Sequence, residues 1–198
     1  MNIYLWIIVA ALLLDFFLHT LSRFLDHKNL SLDLPVEFKG YYSSEEYARS
    51  QKYLKENTRF SYLTSAFDLL LILFVIFFGL FNTVDLWLRT FGFSSIITGL
   101  MFFGVLFFIQ DIIATPFSLY RTFIIEEKFG FNKTSPKTYI MDKVKSYFLL
   151  IFLGGIVLSL ILLFFESLGS FAWFYAWLLL SSFIILIQPL FTLFIAPM

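Results

Sequence analysis

The chain of 198 residues contains no cysteine, only two histidines and few charged residues. Without cysteine there can be no disulfide framework, no thiol nucleophile and no thiolate metal site. Charged residues make up 14% of the chain, whereas a soluble domain carries about 25%. The 14 basic and 14 acidic residues balance, so the basic face that nucleic-acid binding requires is not expected. Because 60% of the residues are hydrophobic and 29 are phenylalanine, the sequence predicts an integral membrane protein in contact with the lipid bilayer.

The sequence patterns of the common catalytic centres are also missing. A zinc peptidase of the H-E-x-x-H type needs two imidazoles one helical turn apart with a glutamate beside them, and the dipeptide His-Glu does not occur in this chain. P-loop, G-x-S-x-G and G-x-G-x-x-G patterns are absent as well. The sequence therefore predicts no catalytic residues, no metal ligands and no cofactor in this chain.

Five segments are apolar over the roughly 20 residues that a helix needs to cross a membrane. They are Ile3–Leu21, Tyr62–Phe81, Ile96–Tyr120, Tyr147–Phe165 and Phe171–Ala196. In lipid every backbone amide must be paired within its own segment or in a closed barrel, and these runs are too continuously apolar for barrel strands. The first run lacks a positively charged start and is longer than the apolar part of a signal peptide, so it is expected to be a retained span. The prediction is one all-α, polytopic domain over residues 1–198, in a membrane that the residues do not identify.

The basic residues divide sharply between the connecting loops. Seven of the 14 lie between residues 22 and 61, six lie between residues 121 and 146, and only Arg89 lies elsewhere. By the positive-inside rule the first and third loops face the cytoplasm. The N-terminus is then outside and, after five spans, the C-terminus is cytoplasmic.

Capping signals predict where helices begin and end in these two basic loops. Ser43 and Glu46 form an S-x-x-E capping box that starts a helix leading into the second span. Gly130 suits the left-handed residue that ends a helix, and Ser135–Pro136 reads as an N-cap followed by proline at the first helical position. The third span is therefore expected to continue to about Phe129, turn, and re-enter as a helix.

Four ionisable side chains fall inside or at the edge of the predicted spans. Asp15 and His19 are four residues apart and share one face of the first helix, and Asp68 and Asp111 lie in the second and third spans. Ionisable groups are costly in lipid, so these four are expected to pair with each other or to line a polar interior chamber. The alternative is that they have a direct functional role. Asp15 and His19 alone do not make a zinc site, which takes at least three protein ligands.

The third loop contains more acidic and aromatic residues than a simple topological connector needs. Its stretch "PFSLYRTFIIEEKFGFNKTSPKTYIMDKVK" resembles the signature of the type I CAAX endopeptidases, the CAAX prenyl protease 1 family. The pattern of that family falls on Pro116, Tyr120, Phe123, Glu126, Glu127, Gly130, Phe131 and Asn132, with Ser135 where a threonine is usual. The stretches before the second span and along the fifth span are also similar, so the resemblance covers nearly the whole chain.

The resemblance implies the N-terminal membrane domain of a zinc metalloendopeptidase that cleaves peptides, and the family name implies prenylated C-terminal peptides. The H-E-x-x-H of that family follows the fifth span, and this chain stops at "LFIAPM", so zinc is expected only in the intact family enzyme. The expected partner is a missing or separately encoded metalloprotease domain, which the signature loop would contact. The chain by itself is expected to be inactive.

One alternative is a non-catalytic membrane scaffold or adaptor derived from the family. Another is a small transporter, although no internal repeat of the kind common in transporters is present.

Overall fold

The structure is a computed structural model that describes residues 2–28, 30, 31, 33–35, 40, 41 and 43–190, without the side chains of His27 and Leu190. All regular secondary structure in this part of the chain is helical. The helices are α1 (Ile3–Lys28), α2 (Ser44–Phe77), α3 (Leu80–Arg89), α4 (Ser95–Tyr120), α5 (Pro136–Leu149), α6 (Gly155–Ser167) and α7 (Ala172–Leu190). The last residues of the fifth predicted span, 191–196, lie outside the described residues.

Five helical stretches are long and apolar enough to cross a membrane, which confirms the predicted all-helical polytopic fold. They are Ile3–Asp26, Ser44–Phe77, Ser95–Glu126, Pro136–Ser167 and Gly169–Pro189. Few apolar side chains are fully buried; Leu88 and Ile125, each 1% exposed, are the largest among the described residues. Most phenylalanine, leucine and isoleucine side chains are exposed, as expected for helices whose outer surface is covered by lipid.

Helix α2 is much longer than a membrane span requires. Its 34 residues extend over about 50 Å, whereas the hydrocarbon core is about 30 Å thick. The predicted cap at its start is present, because the Ser43 hydroxyl accepts a hydrogen bond from the backbone N–H of Glu46 at 3.1 Å. The first half of α2, which holds most of the charges of the first loop, therefore extends beyond the membrane as a continuous helix.

A separate amphipathic helix, which the sequence reasoning did not anticipate, follows α2. The second span was expected to run to Phe81, but α2 ends at Phe77, Gly79 adopts a positive φ of 66°, and α3 starts at Leu80. In α3 the Arg89 side chain donates a 2.7 Å hydrogen bond to Asp85. This hydrogen bond and the charge of the carboxylate raise the pKa of Arg89. Because α3 is short and interrupted by polar residues, the hydropathy of the sequence does not reveal it.

Two of the long helical stretches contain π-helical turns. Arg121–Glu126 continues α4 in π geometry, and Leu150–Gly154 joins α5 to α6 in the same way. Pro116 lies inside α4, one turn before the first π segment. The π segments let each stretch continue for 32 residues as one helical rod with a local change in the path of its backbone.

The chain divides into two compact units. One comprises Met1–Thr83 and Ile109–Thr134, in which α1 packs along α2, and α2 packs against the π segment that follows α4. The other comprises Val84–Phe108 and Ser135–Met198, in which α6 and α7 form an antiparallel pair joined by a short 3-10 turn. The signature residues from Pro116 to Asn132, which we call the signature loop, belong to the first unit, as do Asp15, His19, Asp68 and Asp111.

Close packing in the second unit depends on a glycine of α4. A Cβ atom at Gly99 would lie 2.8 Å from Cδ1 of Leu162 in α6, whereas a Cβ at Gly104 would meet nothing within 4 Å. We expect Gly99→Val to destabilise the protein by about 1–3 kcal/mol through overpacking. Gly104→Val in the same helix serves as the control, because it has the same change in helix propensity. Thermal unfolding in detergent is the measurement, and equal losses for both variants would contradict the packing role of Gly99.

Candidate functional site

The turn after α4 is built by a Schellman motif centred on Gly130. The N–H of Phe131 donates to the carbonyl of Glu126 at 2.9 Å, and the N–H of Gly130 donates to the carbonyl of Glu127 at 3.0 Å. Gly130 adopts a φ of 74°, the left-handed conformation that this motif requires. The prediction that Gly130 ends the helix is therefore confirmed. The π segment before it ends in a defined turn rather than in a loose loop.

Asn132 links the end of this helix to the start of the next. Its Nδ2 donates to Oε2 of Glu127 at 2.9 Å, and its Oδ1 accepts from the N–H of Thr134 at 2.7 Å. Thr134 is followed by Ser135, whose hydroxyl caps α5 by accepting from the N–H of Thr138 at 3.1 Å. The predicted N-cap at Ser135, with Pro136 at the first turn, is confirmed. Glu127 and Asn132 thus hold the turn together by bonding to each other and to the backbone.

The two phenylalanines that flank Gly130 pack on a single tyrosine of α2. The ring of Tyr53 lies 5.7 Å from Phe129 and 4.8 Å from Phe131, measured between ring centroids. Edge-to-face and tilted pairs at such distances each add about 0.5–1.5 kcal/mol beyond the burial of their area. Gly130 allows the chain to reverse between the two rings, so the Phe-Gly-Phe sequence forms an aromatic clamp, which we define as Tyr53, Phe129 and Phe131.

Charged groups surround the aromatic clamp on the side of α2. Lys128 forms an ion pair with Glu56 at 2.6 Å, and the guanidinium of Arg49 lies 5.8 Å from the centre of the Phe131 ring. The side chains of Lys128 and Glu56 are 58% and 35% exposed, so this ion pair contributes at most about 1 kcal/mol to stability. The aromatic contacts therefore do most to hold the turn against α2, and the ion pair sets its register.

The upstream part of the signature forms a second aromatic contact with α2. Tyr120 lies 5.0 Å from Phe60, and Phe117, next to Pro116, lies 5.0 Å from Phe67. Phe123 is half-buried in the π segment, and Ile125 beside it is almost fully buried. Two carboxylates that sequence reasoning paired together, those of Glu126 and Glu127, have different surroundings. Within the described part of the chain only Glu127 has a side-chain partner; Glu126 contributes its backbone carbonyl to the turn.

The four ionisable residues of the spans, Asp15, His19, Asp68 and Asp111, lie on α1, α2 and α4. Asp15 and His19 lie 3.4 Å apart on α1, on one helical face as their spacing predicts, and their side chains are 71% and 67% exposed. Asp68 is exposed on α2, and Asp111 is half-buried on α4, where its backbone carbonyl accepts from the hydroxyl of Thr115. Among the described residues no hydrogen bond or ion pair joins Asp68 to Asp15 or His19. The structure therefore brings Asp15 and His19 together and leaves Asp68 apart from this pair.

The described residues do not fit a metal ion. Across residues 2–190, apart from the few left undescribed, no three His, Asp or Glu side chains are grouped so that they could ligate one. Zinc takes three protein ligands and a water, or four protein ligands.

Sequence reasoning missed one contributor to the site, Glu56, and assigned no role to Tyr53 and Phe60. These residues lie at positions 53, 56 and 60 of α2, a spacing of three and four that places them on one helical face. The spacing was visible in the sequence. Their partners were not, because the contacts join residues 60 or more positions apart in the chain.

Three comparisons relate the chain to known proteins. The family model of the CAAX prenyl protease N-terminal region, which describes five membrane helices, matches residues 25–198. The chain is 33% identical to a CAAX prenyl protease 1 homolog of Dictyostelium discoideum over 86% of its own length, and 30% identical to CAAX prenyl protease 1 of Saccharomyces cerevisiae over 83%. It is also similar to the crystal structure of S. mikatae Ste24p, with a TM-score of 0.87 and 26% identity over 100% of this chain.

The chain spans less than half the length of these relatives. It covers 41% of the Dictyostelium protein, 39% of the Saccharomyces cerevisiae protein and 48% of the Ste24p chain. The part that the comparisons match is the part that contains the membrane helices and the signature loop.

The hydrogen bond between Asn132 and Glu127 can be tested by substitutions that change the charge of either side chain. Asn132→Asp keeps the acceptor for the N–H of Thr134 but places a second carboxylate beside Glu127, which should destabilise the turn by about 1 kcal/mol at pH 7. Adding Glu127→Gln restores a donor opposite the new carboxylate and should recover most of this loss.

The measurement is hydrogen exchange at the N–H groups of Phe131 and Asn132, both of which bond to the carbonyl of Glu126. Exchange that is equally fast in the single and double variants would contradict the role of this pair. Glu45→Gln, in the exposed first turn of α2, is the matched control for removal of a carboxylate.

Proposed function

The chain belongs to the CAAX prenyl protease N-terminal family, and we propose that it is the membrane-embedded half of a zinc metalloendopeptidase of that family. The observation that carries the proposal is that all of this chain aligns with 48% of Ste24p at a TM-score of 0.87. The zinc ligands and the general-base glutamate would belong to polypeptide outside these 198 residues, either continuous with them or separately encoded. The chain alone would then be inactive.

The substrate class follows from the names of the relatives. Proteins called CAAX prenyl proteases act on prenylated proteins with a C-terminal CAAX sequence, so the proposed substrate is the C-terminal peptide of such a protein. In this scheme the membrane helices hold the peptide and its apolar modification, and they keep the reacting bond away from lipid. The chemical contribution of this half is positioning, which lowers the entropic cost of bringing the peptide to the reacting groups.

The signature loop is the proposed contact with the catalytic domain. Glu127, Gly130, Phe131 and Asn132 shape the turn, while Pro116, Tyr120 and Phe123 belong to the helix that carries it. Glu126 has no side-chain partner in the described part of the chain, and Phe131 remains 42% exposed on one side of the aromatic clamp. A rigid turn that presents one carboxylate and one aromatic ring is suited to binding another domain.

The ionisable residues of the spans are the proposed lining of a polar chamber. Asp15 lies eight residues before Arg23, which places it about 12 Å deeper along α1. At this depth an exposed carboxylate would face either lipid or water, and lipid is the costly alternative. The same argument applies to His19 and Asp68. The half-buried Asp111 would complete the lining from α4.

The proposed orientation has the N-terminus outside and the C-terminus in the cytoplasm. Thirteen of the 14 basic residues lie between residues 22 and 61 or between residues 121 and 146. Arg89, the remaining one, lies in α3. This asymmetry is the support that the positive-inside rule supplies.

A chimera tests the proposed function. We expect the 198-residue chain, joined to the remaining C-terminal part of the Saccharomyces cerevisiae relative, to restore zinc-dependent cleavage of a prenylated CAAX peptide. The 198-residue chain purified alone should cleave nothing. Release of the C-terminal tripeptide in membranes is the measurement. A stably folded, membrane-inserted chimera without activity would favour the alternative of a non-catalytic scaffold.

The same chimera tests the contact made by the signature loop. Glu126→Gln should lower cleavage about tenfold, since it removes one charge-assisted contact with the catalytic domain. Glu45→Gln is the control, because Glu45 is an exposed glutamate on the same side of the membrane. Full activity of the Glu126 variant would contradict its role between the domains.

The absence of cysteine makes the orientation directly measurable. We expect a single cysteine at Ser170, in the short turn between α6 and α7, to react with a membrane-impermeant maleimide in intact cells. A cysteine at Lys133, in the signature loop, should react only after the membrane is opened. The opposite pattern of labelling would show that the proposed orientation is inverted.

A further inference from the structure

Two arginines from different helices converge on Ser61 of α2. Nη1 of Arg23, near the end of α1, donates to the carbonyl of Ser61 at 3.2 Å and to the hydroxyl of Ser65 at 2.6 Å. Nη2 of Arg121, at the start of the π segment, donates to the hydroxyl of Ser61 at 3.3 Å. We define Arg23, Ser61, Ser65 and Arg121 as the arginine cluster. All four residues are half-buried.

The arginine cluster carries two positive charges without a compensating negative one. In the described part of the chain no carboxylate lies within ion-pair distance of either guanidinium, and every partner of the two arginines is neutral. The guanidinium of Arg121 also lies 5.8 Å from the centre of the Phe60 ring, which supports it on one side. Each guanidinium has five N–H donors, and the two together donate three hydrogen bonds. The cluster therefore retains both charge and donors for an anion.

The position of the cluster along the helices identifies the kind of anion. Arg23 lies three residues before the end of the membrane-competent stretch of α1, and Arg121 lies five before the end of that of α4. Ser61 lies 17 residues into α2, about 26 Å from its first residue, where the charged half of that helix gives way to the apolar half. Since α1, α2 and α4 cross the membrane in turn, these three points lie on the same side of it. On the proposed topology all of them would lie where lipid head groups begin.

We propose that the arginine cluster binds the phosphate of a phospholipid head group. A guanidinium matches the geometry of phosphate oxygens and binds them through paired, charge-assisted hydrogen bonds. Basic pockets between membrane helices on the side of the anionic leaflet are suited to this ligand. The bound phosphate would neutralise the two arginines and join α1, α2 and α4 at one level, which would fix the depth of the first unit in the membrane.

The test uses the purified 198-residue chain in an uncharged detergent, titrated with phosphatidylglycerol and followed by native mass spectrometry. We expect saturable binding of one lipid at the cluster. Arg23→Gln combined with Arg121→Gln should weaken this binding about tenfold or more. Arg59→Gln is the matched control, because Arg59 lies two residues from Ser61 but is exposed, and its binding should change less than about twofold. Equal loss in both variants would overturn the proposal.

Two further ligands separate the possible sources of the phosphate. Diacylglycerol, which has the same acyl chains without the phosphate, should bind at least about tenfold more weakly than phosphatidylglycerol. Inorganic phosphate at the concentration of the lipid should not displace it. Equal binding of diacylglycerol would show an acyl-chain site rather than a head-group site, and displacement by inorganic phosphate would show a site for the free ion. Either result would overturn the assignment.

If the double variant does not fold, two other measurements still test whether the arginine cluster binds the lipid. Ser65→Ala removes the bond that orients Arg23 and leaves both charges, so it should weaken lipid binding by less than the double variant but by more than Arg59→Gln. In the unchanged protein, added salt should weaken the retention of phosphatidylglycerol, because the contact is ionic. Lipid binding that is insensitive to both changes would contradict the proposal.

Discussion

The hydrogen bonds of the backbone are the constraint on which the whole structure depends. In the hydrocarbon core no water is available to bond with an N–H or a carbonyl, so every spanning segment must satisfy these groups within itself. The five membrane-competent helices of the chain meet this requirement, and the two π segments meet it while changing the local path of the backbone. In the described part of the chain one of the connections, the turn at Gly130, satisfies helix carbonyls by a Schellman motif.

Helix α2 organises the first unit because it is present both inside and outside the membrane. At its outer half Tyr53 receives the two phenylalanines of the turn, and Glu56 receives Lys128. Farther along α2, Ser61 receives two arginines, and Phe67 packs against α4. One helix thus carries the packing of the turn, the arginine cluster and Asp68. Two residues of the family signature, Tyr120 and Phe131, pack against aromatic side chains of α2.

The short motif around Gly130 has a structural role in shaping the turn, in addition to the functional role proposed for it. Phe129 and Phe131 pack on α2, Asn132 bonds to Glu127, and Gly130 permits the reversal. These contacts fix the path of the turn, and in the proposed function they would hold Glu126 in place for the catalytic domain. In this way the structural and the proposed functional roles of the motif are compatible, since preorganised contacts bind at a lower entropic cost.

The sequence alone determined the class of the protein, the number of spans, the caps at Ser43 and Ser135, and the helix end at Gly130, because these depend on hydropathy and on local backbone chemistry. It did not reveal α3, whose ten residues are too few and too mixed for a hydropathy signal. Only the tertiary structure decided that Phe129 and Phe131 meet Tyr53, that Lys128 meets Glu56, and that Arg23 and Arg121 share Ser61. These contacts join residues 38 to more than 70 positions apart. No local pattern encodes such a pairing, because it arises from how helices pack after each has formed.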